Sequence, residues 1–338
     1  MRQTLAALAI ALLPSVAGAD APNTVIAKAV DGHVLPAFSV LAESSEALKA
    51  SALADCIPTS EGLRDVYHES FDAWIAASHL RFGPTEVEDR AFALAFWPDT
   101  KGFTPKTLAG LIRAQDPDGL NPEAYSHVSI AARGYFALEF MLYDDAMQSL
   151  GDADYRCALI RTIAADIDAN ADAILDGWTN GYAQLLKQPT EGGIYRSEDE
   201  AVQELFKALL AGLQFTAETR LGRPLGTFER PRPQRAEARR SERSLRNVMI
   251  SLEATRDLAV VLSGEDATLA RDLESAFDEA LALAESLDDP TFASVSAPQG
   301  HLKVEILQQS INLLRDKINA TLGAHLGVSE GFNALDGD

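Results

Sequence analysis

Two short stretches hold the residue types best suited to chemistry. The first, Arg133-Gly134-Tyr135-Phe136-Ala137-Leu138-Glu139-Phe140-Met141-Leu142, places one carboxylate in an otherwise apolar run. A carboxylate among apolar side chains is costly to bury unless it gains hydrogen bonds or a cation. Glu139 is therefore expected either to pair inside a core or to serve a ligand. The second stretch, residues 230–247, gathers seven arginines (Arg230, Arg232, Arg235, Arg239, Arg240, Arg243 and Arg246) in a chain of formal charge −21. Guanidinium forks match carboxylates and phosphates. Helical spacing would put Arg235, Arg239, Arg243 and Arg246 on one face. That face is either solvated, with pairs such as Glu242–Arg246, or it recognises an anion or reaches acids elsewhere in the chain.

Other chemistries are narrower. His68 with Asp72 and His301 with Glu305 stand four residues apart, so each pair could share a metal from one helix face. Two ligands make an incomplete site, and a solvated polar pair is the simpler reading. The sequence has no H-E-x-x-H, G-x-S-x-G, phosphate-binding glycine loop or C-x-x-C-H. Thermolysin-like zinc proteolysis, nucleophile-elbow hydrolysis, P-loop or dinucleotide binding and c-type haem attachment are thereby set aside. The acidic balance repels nucleic acid and anionic membrane surfaces. It suits solubility first and cationic ligands second.

The opening MRQTLAALAIALLPSVAGAD has Arg2, a short apolar run and Ala17-Gly18-Ala19, the pattern of a secretory signal peptide over residues 1–19 cut before Asp20. No cysteine stands at the cut, so no lipid anchor is expected, and the periplasm is the expected compartment. No later apolar stretch is expected to cross a membrane. An even cysteine count, Cys56 and Cys157 without C-x-x-C, then favours a disulfide between them.

The elements that must position these residues read as helices. Leu63, Val66, Tyr67, Phe71, Trp74 and Ile75 step by three and four, which predicts a helix over 59–81 capped by Thr59 or Ser60 and stopped at Gly83-Pro84. A helix is also expected over 38–56. Prolines and glycines between 83 and 128 predict short helices and loops. Helices follow over 130–147 and 152–187, the latter bent near Gly177 or Gly181, and from Ser197 to about Arg220. Residues 222–234 read as an extended loop, and helices resume near 235–262, 265–287 and 299–323. No stretch alternates with period two beside hairpin turns. The expected fold is all-α, with two helical-bundle halves dividing at residues 20–221 and 222–338.

Several of these segments resemble the imelysin family. Gly134 and Glu139 match its G-x-H-x-x-E motif, with Phe136 where the family has histidine. Trp74, Phe82-Gly83-Pro84, Trp97-Pro98, Pro224-Leu225-Gly226, Glu237 to Ser244 and Gly331-Phe332-Asn333 match in order. The resemblance implies an exported two-half helical fold with a cleft between the halves, and a link to iron uptake. Part of the family is named as a peptidase. Phenylalanine has no lone pair, so a metal site copied from the family is not expected here, and the cofactor stays unknown, with iron suggested only by the family. The expected ligand-binding residues are Gly134, Phe136, Glu139, Arg239, Arg240, Ser241, Arg243 and Ser244. At least one arginine is expected to approach Glu139, with Ser241 or Ser244 adding hydrogen bonds. The expected function is a binding or accessory protein in iron or metal handling. The alternatives are a peptidase-like hydrolase and an interaction module that docks a membrane-anchored or redox partner.

Overall fold

A computed structural model describes residues 22–328. The signal peptide read over 1–19 and the segment Gly331-Phe332-Asn333 lie outside the described residues. Among these residues the fold is all-α, and the one β pairing is an isolated bridge between Thr227 and Arg230.

Helix α1 (Pro22–Ala29) passes through a π-turn, Val30–Val34, into α2 (Leu35–Ala54). This combined run, Pro22–Ala54, is long and apolar enough to cross a membrane, contrary to the sequence expectation. In the fold its apolar face is occupied: Ile26, Val34, Phe38, Leu41 and Leu48 are fully buried, and α2 packs on the third and ninth helices. Helix α3 (Glu61–Ala77) starts where Ser60 Oγ accepts from Leu63 N at 3.4 Å, and it buries the expected stripe of Leu63, Tyr67, Phe71 and Trp74. The proline-rich stretch then breaks into α4 (Arg90–Leu94), α5 (Phe103–Ala114) and α6 (Pro122–Tyr125).

The helix expected over 130–147 is interrupted. Helix α7 (Gly134–Tyr143) ends at Asp144, whose carboxylate accepts from Met147 N and opens α8 (Asp145–Gln148). Helix α9 (Ala153–Gly177), capped by Asp152, runs through a π-turn at Trp178–Tyr182 into α10 (Ala183–Lys187). The bend falls where glycine was expected to permit it. Helix α11 (Glu198–Gln214) is capped by Ser197 and continues through a π-turn, Phe215–Leu221, into α12 (Gly222–Leu225). Long helices α13 (Ser244–Leu262), α14 (Ala267–Glu285) and α15 (Pro298–Leu326) complete the chain.

Helices α2, α3, α7 and α9 pack together, and α13, α14 and α15 form a second group. Helix α11 and its π-turn lie on α13 and α15, so packing joins residues 198–221 to the helices after them, although the sequence reading divided the chain at 221/222. Cys56, just past α2, and Cys157, in the first turns of α9, form the expected disulfide with Cα atoms 5.1 Å apart. Helix α3 also packs on α13, and the arginine-rich stretch meets α7 beside that contact.

Candidate functional site

Helix α7 can begin where it does because residue 134 is glycine. Its φ is +73°, and a Cβ there would lie 2.2 Å from the carbonyl oxygens of Ala93 and Leu94. Gly134 is thus a point of close backbone approach between α4 and α7. Left-handed geometry costs a residue with a Cβ about 1–2 kcal/mol, and crowding a packed site adds about 1–3 kcal/mol. Gly134→Ala is expected to lower the unfolding free energy by about 2–5 kcal/mol in urea denaturation. An unchanged midpoint would show that α7 can shift away from α4.

One turn further on, Glu139 is buried. Its Oε1 accepts from Ser241 N at 3.0 Å and from Ser241 Oγ at 2.8 Å. Burial pushes the carboxyl above its ordinary range, while the two Ser241 hydrogen bonds and the nearby Arg240 pull the other way. This geometry corrects the helix expected from residue 235. Helix α13 begins only at Ser244, and the preceding turn contains left-handed Ala238 (φ +45°) and Glu242 (φ +56°). Within a helix the Ser241 N–H would be committed to the carbonyl of Glu237. Here it is free for Glu139, and Ser244 Oγ donates to that carbonyl at 2.5 Å instead.

Because this stretch is a turn, its arginines do not share one face. Arg243 is fully buried, ion-pairs with Asp72, and donates through Nη1 to the His68 carbonyl at 3.2 Å. Arg240 pairs with Asp144 at 2.9 Å and covers the Phe140 ring, with 3.7 Å to the centroid. Ser241 supplies the expected hydrogen bonds to Glu139, whereas no arginine side chain hydrogen-bonds to it, and Arg239 forms no ion pair among the described residues. The His68–Asp72 pair is equally committed. His68 Nδ1 lies 2.9 Å from Arg243 Nη1, its Nε2 lies 2.8 Å from Tyr143 Oη, and burial with the Arg243 charge lowers its pKa to about 4. His301 meets Phe228 edge to face.

Two chambers open beside these contacts, and they share a wall of Trp97 and Phe136, whose ring centroids are 6.2 Å apart. The larger holds about 710 Å³, with Trp74, Phe92 and Phe215 among its aromatic walls. Its floor is polar and buried. Arg220 donates to Glu237 at 2.8 Å and to Thr216 and Ser251 at 3.1 Å, and Asn247 also donates to Glu237. His79 lines the same chamber and places Nε2 2.9 Å from Nε2 of His33. Burial lowers both pKa values, that of His33 to about 4, so near neutrality one ring donates and the other accepts. The smaller chamber, about 230 Å³, is bounded by Glu139, Phe140, Arg223, Arg235, Arg239 and Arg240.

The fold thus brings Phe136, Glu139, Arg239 and Arg240 to one chamber. Gly134, Ser241, Arg243 and Ser244 act behind it, in the backbone approach and the turn. Sequence reasoning missed Arg220, Glu237, Ser251 and Arg223. An arginine in a helical run next to acids carries no local mark of burial. The faint signal was Thr216 one turn before Arg220, a polar neighbour within an apolar segment.

The family model for Imelysin matches residues 34–318. This chain belongs to the imelysin family. An imelysin-like protein from Psychrobacter arcticum 273-4 has the same fold at 20% identity and a TM-score of 0.79, the match covering 95% of this chain and 100% of that one. A protein from Parabacteroides distasonis ATCC 8503, provisionally named an iron-regulated protein A precursor, matches at 14% identity and a TM-score of 0.71, covering 90% and 97%. No curated protein sequence matches the chain. In this imelysin-family member Phe136 packs between Trp97 and Phe71, and Glu139 Oε1 already takes two hydrogen bonds. Among the described residues no group of three His, Cys, Asp or Glu side chains could hold a metal ion. Iron and zinc require several such donors, so the residues around Glu139 do not fit a resident metal.

Proposed function

We propose that this imelysin-family chain is an exported, periplasmic binding protein that holds a small ligand in the cleft between its helical groups and serves iron or other metal handling. The larger chamber carries this reading. Its volume, aromatic walls and few convergent polar groups are those of small-molecule sites. The provisional name of the Parabacteroides relative supports the link to iron. Phe136, Glu139, Arg239 and Arg240 would face the ligand, with Gly134, Ser241, Arg243 and Ser244 holding their frame.

The test is native mass spectrometry of protein purified from the periplasm, beside a titration with ferric iron and zinc. Wild type is expected to carry a dissociable small molecule. Ala208→Trp, which fills the larger chamber, is expected to lose it while keeping its helical circular dichroism. Metal binding that Glu139→Ala abolishes would replace this reading with a metal site at the altered motif. A cleft that carries the same mass in wild type and Ala208→Trp would remove the larger chamber from the account.

A further inference from the structure

The smaller chamber has a charge pattern that the larger one lacks. The chain has 50 acidic and 29 basic residues, so carboxylates are available in excess to the arginines around this chamber. Arg240, Arg243 and Arg246 follow that expectation and ion-pair with Asp144 or Asp72. Arg223, Arg235 and Arg239 do not. All three line the chamber, and none has a side-chain ion pair or hydrogen bond among the described residues. The Nε of Arg223 is buried without an acceptor.

The two acids in the chamber wall are committed to other partners. Asp99 accepts from Thr104 N at 2.8 Å and Lys101 N at 3.2 Å, at the start of α5. Glu139 accepts twice from Ser241. The guanidiniums are also crowded by their own kind. Burial and Arg235 lower the pKa of Arg223, and burial and Arg240 lower that of Arg239 against the opposing charges of Glu139 and Asp144. Three separate segments deliver them: α12, the turn Pro233–Arg235 and the left-handed turn at Ala238. Aromatic rings position two of the chamber's guanidiniums, with Arg223 5.7 Å from the Trp97 centroid and Arg240 on Phe140. Like charges assembled from three segments repel one another when nothing lies between them, and a buried donor without an acceptor is unfavourable. A compact anion relieves both, because each guanidinium fork can engage two oxygens.

We propose that the smaller chamber binds a compact oxyanion of two or more negative charges, held by Arg223, Arg235 and Arg239. The proposal rests on the reading of the cleft as a binding site and names the chemistry of one of its compartments. The chain's net charge of −21 disfavours anions in general, so binding here depends on the local cluster of guanidiniums.

The test is calorimetric titration and thermal shift of the mature protein with citrate and with inorganic phosphate, against chloride at matched ionic strength. One of the two anions is expected to bind at one per chain and to raise Tm above the chloride control. Tighter binding of citrate assigns a polycarboxylate, and tighter binding of phosphate assigns a phosphate or phosphoryl group. In Arg223→Gln/Arg239→Ala the affinity is expected to fall at least about tenfold, the effect of losing charge-assisted hydrogen bonds. Its Tm in chloride should be no lower than that of wild type, since repulsion is removed. If that variant does not fold, exposed Arg235→Ala serves instead and should weaken binding by about fivefold or more. Arg230→Ala, outside the chamber, should bind as wild type does. Ala208→Trp should leave anion binding intact, so failure of the larger chamber and failure of this one are separable. No saturable binding above chloride, or equal affinity in the arginine variants, overturns the proposal.

Discussion

Serine at both Cys56 and Cys157 is expected to lower the unfolding free energy by about 4–5 kcal/mol, the value for a cross-link closing a loop of about a hundred residues. The bond joins residues 101 apart, linking the end of α2 to the start of α9. Those helices pack along one another, so the reduced chain keeps the same native contacts and the loss falls mainly on the freedom gained by its unfolded state. Domains of this kind have a total stability of about 5–15 kcal/mol, so the change is a large fraction of it. Urea denaturation of oxidised wild type and the double serine variant measures the difference. Intact mass after alkylation without reductant checks the bond itself. Two alkylated thiols in native protein, or equal urea midpoints, would show that the cross-link does not hold these helices.

The second large effect concerns two arginines on one carboxylate. Asp72 pairs with both Arg243 and Arg246. Burial works against its charge, yet Arg246 and Arg243 hold its carboxyl below the usual range. Arg243 is 1% exposed, whereas the Arg246 side chain is 58% exposed. Removing one member of a buried pair costs about 3–5 kcal/mol, because the remaining groups stay desolvated. An exposed pair contributes about 0–1 kcal/mol. Arg243→Ala is therefore expected to be strongly destabilising and Arg246→Ala nearly silent, as read by denaturant midpoints. In Arg243→Ala/Asp72→Ala the combined loss should be smaller than the sum of the single losses. Similar effects at the two arginines would mean that depth does not govern this contact, and additive losses would mean that Arg243 acts through the Phe71 ring it covers at 4.8 Å and not through Asp72.

The local pattern of the sequence determined most of the elements. Apolar residues at steps of three and four mark α3 and α9 because a helix needs one continuous face to bury, and Ser60, Asp152 and Ser197 mark starts because their side chains satisfy free N–H groups at helix termini. The disulfide was legible from an even cysteine count beside an opening that reads as a leader peptide. The break of α7 at Asp144 is a local cap on Met147 N that the apolar run around it hid, and the turn before α13 was not legible because it depends on a partner far away in sequence. Ser241 leaves helical hydrogen bonding for a carboxylate 102 residues earlier, and no window around Ser241 contains Glu139. The destinations of the arginines were hidden for the same reason. Composition showed a concentration of positive charge in an acidic chain, but only packing decided that Arg243 is buried against α3, that Arg240 turns to Asp144, and that Arg223, Arg235 and Arg239 line one chamber without an ion pair among the described residues. Helix periodicity is a property of neighbours along the chain. The partner of a charge is set by which segments the core brings together, and that is decided only when the whole fold closes.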